Sequence, residues 1–328
     1  MPVYNGERFL AAALASICGQ TYRDFEFLVI DDGSTDTTPL ILADASRRDS
    51  RIRIITQPAN AGVVAARNAG LQQAQGRFIA VMDSDDVAVP ERLARQTSYF
   101  EAHPDVAVLG GAVQLIDQDS VAGRTKAYPL EPALVAWSML FFNSVAHSTV
   151  MIRRDALKGN YPVGGAEDYA LLMELSLRVR MANLPDVLVR YRTWPGALTA
   201  RTWERQEKHA NEIVQGAITT LGIESITIDQ VKMLRGLSRD QYPVSPNDIR
   251  ATGELIGTLA AFWSERPGHS TADAGLIRRD AGVRLWLLAT LASRRSPALA
   301  ARLGARALRL SPTSAIDFAS KVLKRLRT

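Results

Sequence analysis

Acidic side chains gather where apolar runs give way to turns, and the densest group is Asp83-Ser84-Asp85-Asp86, directly after the run Arg77 to Met82. Carboxylates about 4 Å apart repel by about 4 kcal/mol per pair at an effective dielectric near 20. A bound divalent cation removes that cost. Oxygen ligands of this type suit magnesium or manganese, which keep positions open for substrate phosphates. The plain alternative is a solvated acidic turn or a helix cap. Capping accounts for the run poorly, because the next helix is expected near Pro90 and one acid would suffice. On spacing alone both readings stay open.

A second group, Asp31-Asp32-Gly33-Ser34-Thr35-Asp36, follows Phe25 to Ile30. An Asx turn leading into a capped helix, with Ser34 or Asp36 as the cap, explains its last four residues. It does not explain two adjacent acids after an apolar strand. One of them must face the strand-end crevice, where a carboxylate could accept the imide N–H of a uracil or bond a ribose hydroxyl. Downstream, the stretch from Asn60 to Gly70 opens a helix with Arg67 about two turns in. Arg67 could neutralise a diphosphate or hold the Asp83 cluster, although an isolated arginine is more commonly a surface or structural residue. In Gly164-Gly165-Ala166-Glu167-Asp168 two acids sit at a helix start. The helix dipole is a sufficient reason for them, and a general base beside a mobile glycine loop is the functional one.

These groups need strands to carry them. Phe25 to Ile30, Arg51 to Thr56 and Arg77 to Met82 are short β-branched or aromatic runs. They alternate with helix-period stretches at Glu7 to Gly19, Asp36 to Arg47, Ala61 to Ala74 and Pro90 to Ala102. Such alternation predicts α/β units around a mostly parallel sheet flanked by helices. In open sheets of this kind ligands bind beyond the carboxyl ends of the strands, where Tyr4, Asn5, Asp31, Asp32 and Asp83 to Asp86 all fall. Residues 105 to 116 predict a strand with a glycine-marked bend. A helix near 131 to 140, a strand Thr149 to Ile152, a helix from Glu167 and a strand Val187 to Tyr191 follow. Beyond about residue 200 only helical patterns remain, among them Glu204 to Leu221, Asp248 to Trp263 and Ala274 to Ala292. The expected division is therefore 1–200 and 201–328.

Taken in order, these segments resemble the family 2 glycosyltransferases, which have the GT-A fold. The match rests on Met1-Pro2-Val3-Tyr4-Asn5, Gln20 to Phe27, Asp31 to Asp36, Ala65 to Gly70, Asp83-Ser84-Asp85, His147 to Met151 and Glu167-Asp168. It covers roughly the first three fifths of the chain. Each motif is weak singly, and the ordered set is specific. The resemblance implies inverting transfer of a sugar from a nucleotide-diphosphate donor, foremost a UDP-sugar, to a saccharide or lipid-linked acceptor hydroxyl in surface polysaccharide biosynthesis. By position, Pro2, Val3, Tyr4 and Asp32 would hold the nucleoside, with Glu7 and Arg67 nearby and Asp83 and Ser84 also on the donor side. Asp83 and Asp85 would be the pair associated with Mg2+ or Mn2+, Asp85 the more direct ligand, and Asp168 the catalytic base. Tyr191 to Trp194 resembles a family segment that often has a histidine, able to assist at the metal, where Trp194 stands. A catalytically inactive binding or scaffold relative is the alternative. A sugar-nucleotide nucleotidyltransferase lacks support, since no Gly-rich, Lys- or Arg-bearing triphosphate loop follows the first strand and there is no Walker-type P-loop.

Composition narrows the rest. The 328 residues are 47% hydrophobic and 22% charged, the balance of a globular chain. The single cysteine, Cys18, excludes an internal disulfide or a Cys-rich zinc site. No apolar run approaches the roughly 18 residues of a membrane span, and no secretory signal pattern opens the chain, so a cytoplasmic location, peripheral at most on the inner face of a membrane, is expected. Residues 294 to 328 hold nine Lys or Arg and one acid, Asp317, which leaves 30 basic and 33 acidic residues in the first 293. Few aromatics accompany those cations, which disfavours nucleic acid. Leucines at helical spacing among the arginines suggest helices packed on the protein body, or contact with an anionic membrane through 294–328. Finally, Met1 to Tyr4 provide only a stub where a central strand normally spans five or six residues. The expectation is that the native polypeptide begins further upstream.

Overall fold

The computed structural model describes residues 1–197, 202–237 and 245–325, the last three by backbone alone. It divides into two compact units, Met1–Val135 with Asn143–Ala210, and Ala136–Phe142 with Asn211–Thr328. The second unit takes in Ala136–Phe142 from within the first stretch of chain, a feature that a single linear boundary does not have.

The first unit is a mixed α/β body. Strands β1 (Pro2–Val3), β2 (Phe27–Asp31) and β3 (Ile52–Thr56) form an all-parallel sheet in the order β1-β2-β3. Helices α1 (Leu10–Cys18), α2 (Thr38–Arg48) and α3 (Val63–Gln73) connect and follow these strands. Helix α1 buries Leu10, Ala13, Leu14 and Ile17, a single stripe at 3.6-residue spacing that faces the core. The second sheet runs β4 (Phe78–Ala80), β8 (Met151–Arg153), β6 (Val106–Ile116), β9 (Arg180–Arg192) and β5 (Val87–Ala88), with β7 (Ala122–Lys126) on β6 as well. Only β6 and β9 pair in parallel there. Parallel pairing thus belongs to the first sheet and to this one pair.

No pairing joins β1 to β4, so the sheets are separate. A cavity of about 730 Å³ lined by Met1, Leu28, Phe78, Ile79 and Ala80 adjoins both. The short first strand expected from Met1 to Tyr4 is two residues long.

Two stretches differ from their sequence patterns for identifiable reasons. Strand β6 stays one strand through Gly110 and Gly111, because those positions are close approaches. A Cβ on Gly110 would lie 2.4 Å from Val145 Cγ1, and one on Gly111 2.5 Å from Leu188 Cδ1. Strand β9 begins at Arg180 rather than Val187 and passes through Pro185. Its register against β6 jumps from Gly111–Leu184 to Ala112–Val187, so the proline sits in a bulge where no ladder N–H is required.

Helix α4 (Arg92–Ala102) precedes β6, and α6 (Glu167–Arg178) leads into β9. Helix α5 (Pro132–Ser138) carries the chain into the second unit. That unit is helical: α7 (Trp203–Thr220), α8 (Ile228–Gly236), α9 (Pro246–Ser264), α10 (Thr271–Ser293), α11 (Pro297–Leu310) and α12 (Ser314–Arg325), with the first turns of α7 belonging to the first unit. Its core is organised around Trp137 and Trp263, both fully buried, with ring centroids 6.1 Å apart. Asp280 accepts from Trp137 Nε1 at 2.8 Å and from Arg284 Nε at 2.6 Å. Burial opposes its charge, but Arg284 and Lys321 outweigh burial and hold its carboxyl below the usual range. Among the described residues no helix is long and apolar enough to cross a membrane.

Candidate active site

The ends of β1, β2 and β4 open into a cleft of about 810 Å³ in the first unit. Pro2, Val3, Tyr4, Asp32, Arg67, Asp83, Ser84, Asp85 and Asp168 all line it. Glu7 does not. Its Oε2 accepts from Thr37 Oγ1 at 2.7 Å and from the Thr37 amide at 3.2 Å, at the start of α2. The neighbouring polar residues do similar work. Asn5 N–H donates to Ser34 Oγ, Gly6 N–H to Thr38 Oγ1, and Glu7 N–H to Asp36 Oδ2. The β1–α1 loop is thereby stitched to the β2–α2 loop. Ser34 is consumed in that stitch and does not cap α2, whose N-cap residue, Thr37, makes no side-chain cap bond. Asp36 does accept from the Thr38 amide at 2.9 Å.

The two acids at the end of β2 divide their roles. Asp31 Oδ1 accepts from the Ser34 amide at 3.0 Å and closes the turn. Gly33 there has φ +70°, and a Cβ on it would lie 2.7 Å from the Ala59 carbonyl carbon, so the turn requires glycine. Asp32 reaches across instead: Oδ1 accepts from the Ala61 amide at 2.9 Å and Oδ2 from the Gly62 amide at 2.8 Å. Asp32 thus fixes the loop that begins α3, and each of its oxygens has a second lone pair.

At the end of β4 the acids differ sharply. Asp83 Oδ1 accepts from Arg67 Nη2 at 3.0 Å, and Oδ2 lies 3.8 Å from His147 Nδ1. Burial alone would raise its carboxyl, but Arg67 and His147 outweigh burial and hold it well below the ordinary range. Among the described residues no cation bonds the Asp85 carboxylate. Burial and then the charge of Asp83 push that carboxyl up, although Arg192, whose Nε donates to the Asp85 carbonyl at 2.8 Å, draws it down. Trp194 Nε1 donates to Asp85 Oδ2 at 3.1 Å. Asp86 turns away into the protein, where Oδ1 accepts from the Arg192 amide at 2.7 Å. Burial, then Asp83 and Asp85, hold it well above the ordinary range. Beneath the cluster the fully buried Arg92 donates to the Val81 carbonyl at 2.7 Å, and burial pushes its guanidinium down to about 10.

Helix α6 brings the remaining acids. Gly165, at φ +108°, precedes it, and a Cβ there would come within 3.1 Å of Arg205 Nε and His209 Nδ1. Glu167 Oε1 accepts from Arg67 Nη1 at 2.9 Å. Arg67, only 11% exposed, is therefore the bridge between the β4 end and α6. Of the two roles open to it in the sequence, holding the Asp83 cluster is the one its geometry shows. Asp168 Oδ2 accepts from Asn143 Nδ2 at 3.3 Å.

The profile of the family described as Glycosyl transferase family 2 matches residues 1–159. An uncharacterised glycosyltransferase of Haemophilus influenzae is 30% identical over 250 residues, 70% of this chain and 77% of the relative. The chain belongs to glycosyltransferase family 2. It is also 33% identical over 177 residues to the UDP-Glc:alpha-D-GlcNAc-diphosphoundecaprenol beta-1,3-glucosyltransferase WfgD of Escherichia coli, 53% of this chain and 67% of that enzyme. The structure of S. aureus TarS 1–349 in complex with UDP-GlcNAc matches it with a TM-score of 0.55 at 18% identity over 90% of both chains, a likeness of fold.

In this glycosyltransferase several residues in the cleft or bonded to it carry no sequence signal. Asn143 and Tyr161 lie outside the strand-end acids, and His147 had only a motif around it. Tyr161 is clamped by Asn68, which donates to its carbonyl at 3.1 Å and accepts from its amide at 2.7 Å, and its hydroxyl meets His147 Nε2 at 3.0 Å. Only the folded chain brings these together.

The buried Arg67 bridge gives a stability prediction. Removing the cation leaves Asp83 and Glu167 without their countercharge, and breaking a buried ion pair from one side costs about 3–5 kcal/mol. Arg67→Met is expected to lose that much unfolding free energy, read from the urea midpoint at constant slope. A loss under about 1 kcal/mol, the range of exposed pairs, would show that the bridge is dispensable.

Proposed function

We propose that this glycosyltransferase moves a sugar, with inversion, from a UDP-sugar to the hydroxyl of a lipid-linked saccharide in surface polysaccharide assembly. The observation that carries the reading is the convergence in one cleft of an Asp32-fixed loop, a cation-poor Asp85 and an Asn143-held Asp168. The acceptor class follows the E. coli relative, a glucosyltransferase named for a diphosphoundecaprenol-linked sugar.

On this reading Asp32 offers its unused lone pairs to the imide N–H or ribose of the nucleoside, beside Pro2, Val3 and the half-exposed Tyr4 ring. The donor set fits Mg2+ or Mn2+ held by one carboxylate together with substrate oxygens. Asp83 is already neutralised by Arg67, whereas Asp85 bears a charge that burial and Asp83 disfavour. Among the described residues no three His, Cys, Asp or Glu converge as a ready-made metal cage; on this reading Asp85 would be the direct protein ligand and Asp83 the supporting one. When bound, the cation offsets charge on the departing diphosphate. Asp168 takes the proton of the acceptor hydroxyl as it attacks the anomeric carbon, and Asn143 holds the carboxylate in place for it. Glu167 cannot substitute, because Arg67 occupies it.

A donor-hydrolysis screen with UDP-, GDP- and dTDP-sugars, each with manganese or magnesium, tests the reading. Turnover of a UDP-sugar that disappears on chelation is expected. Turnover of only GDP- or dTDP-sugars would overturn the donor assignment, and metal-independent turnover would overturn the role of Asp85.

A further inference from the structure

The second unit carries a surface whose chemistry the cleft does not use. Between α10 and α11 runs an open groove of about 570 Å³, lined by Trp286 and Thr290 on one side and Ala301, Gly304, Ala305 and Leu308 on the other. Gly304 sets its depth, since a Cβ there would lie 2.9 Å from the Trp286 ring. The groove is apolar and exposed, Leu308 being 44% accessible, and Ile316 on α12 is 72% accessible. On α11 the positions Ala301, Ala305 and Leu308 form one stripe at helical spacing. Arg302 and Arg309, each one residue further on, flank it on the same side. Arg294 and Arg295 sit in the α10–α11 turn at the end of the groove. These four arginines have no acidic partner among the described residues. Asp317, the one acid of this segment, is occupied by Arg279.

We propose that this face docks on an anionic lipid bilayer, the apolar stripe entering the headgroup boundary while the arginines meet lipid phosphates. Charge selects this occupant. A second copy of the chain would bring the same four cations against themselves. A neutral apolar partner would leave them without counterions. Arginine stems lie along apolar surface while their guanidinium groups stay among polar groups, as a bilayer interface requires. The inference stands apart from the catalytic reading, since none of these residues lines the cleft.

The test is co-sedimentation of the full chain with vesicles of phosphatidylcholine alone and of phosphatidylcholine mixed with phosphatidylglycerol. Binding to the mixed vesicles that weakens as salt is raised is expected. Each cation near an anionic surface contributes about fivefold in affinity, so the double variant R302E/R309E is expected to lose at least about thirtyfold. Leu308→Asp is expected to lose binding at unchanged charge on the arginines. Both changes are on exposed positions, and unaltered melting temperature and donor hydrolysis without vesicles verify that the fold is intact. Equal binding to neutral vesicles, undiminished binding by R302E/R309E, or a dimer in solution that Leu308→Asp dissolves would each overturn the proposal.

Discussion

Asp168→Asn is expected to reduce sugar transfer by at least about a hundredfold, the lower range for removal of a general base, with donor affinity nearly unchanged. Asparagine keeps the shape and can still accept from Asn143 Nδ2, which lies 3.3 Å from the carboxylate it replaces. It lacks a basic oxygen to take the acceptor proton. Other acids nearby are engaged: Glu167 is bound to Arg67, Asp83 shares that same arginine, and Asp86 points into the protein. The effect should therefore fall on kcat with acceptor saturating, and UDP affinity measured by calorimetry in the presence of manganese should match the parent. Turnover within a fewfold of the parent would remove Asp168 from the base role. A parallel collapse of UDP binding would instead mean that the substitution disturbed the start of α6.

The acids at the ends of β2 and β4 were legible because each follows a run of β-branched or aromatic residues, and a strand end is where side chains meet ligands in such sheets. Their division of labour was not. Whether Asp83 or Asp85 is cation-poor depends on Arg67, His147 and Trp194, which lie 16, 64 and 109 residues from their partners in sequence. The same limit hid the use of Ser34 and Glu7, since a capping residue and a loop-stitching residue have the same composition and only the distance to Asn5 or Thr37 distinguishes them. Strand β7, Ala122–Lys126, is exposed throughout, so it has no alternation to detect. Helix α8 opens on a capping box formed by Thr227 and Gln230, a signal present in the sequence. The first half of strand β9 carries no clear strand pattern, since a proline argues against a strand interior and the bulge that accommodates Pro185 is a property of its pairing with β6.

Asp85→Ala is expected to abolish the dependence of donor binding on manganese or magnesium. The diphosphate is an anion entering a cleft that already contains Asp83, Glu167 and Asp168; of the cations that line it, Arg67 is committed to Asp83 and Glu167, and Arg192 donates to the carbonyls of Asp85 and Asp117. Two unit charges about 4 Å apart at an effective dielectric near 20 repel by about 4 kcal/mol, close to a thousandfold in affinity. Without a carboxylate to retain the divalent ion, the ion's offset of that repulsion is lost. Calorimetry of UDP with and without manganese reads it directly: the parent should bind far more tightly with the metal, and the variant should bind weakly and equally in both conditions. Trp194→Phe isolates the part played by the indole. The ring that packs edge-on against Phe9 at 5.3 Å is retained in kind, while the N–H that occupies Asp85 Oδ2 is lost. That freed oxygen can then join the other in holding the ion, so manganese should bind the Trp194→Phe protein with UDP at least as tightly as the parent. Unchanged metal dependence in Asp85→Ala would place the ion on other residues, and loss of metal binding in Trp194→Phe would mean that the indole orients Asp85 rather than competing for it.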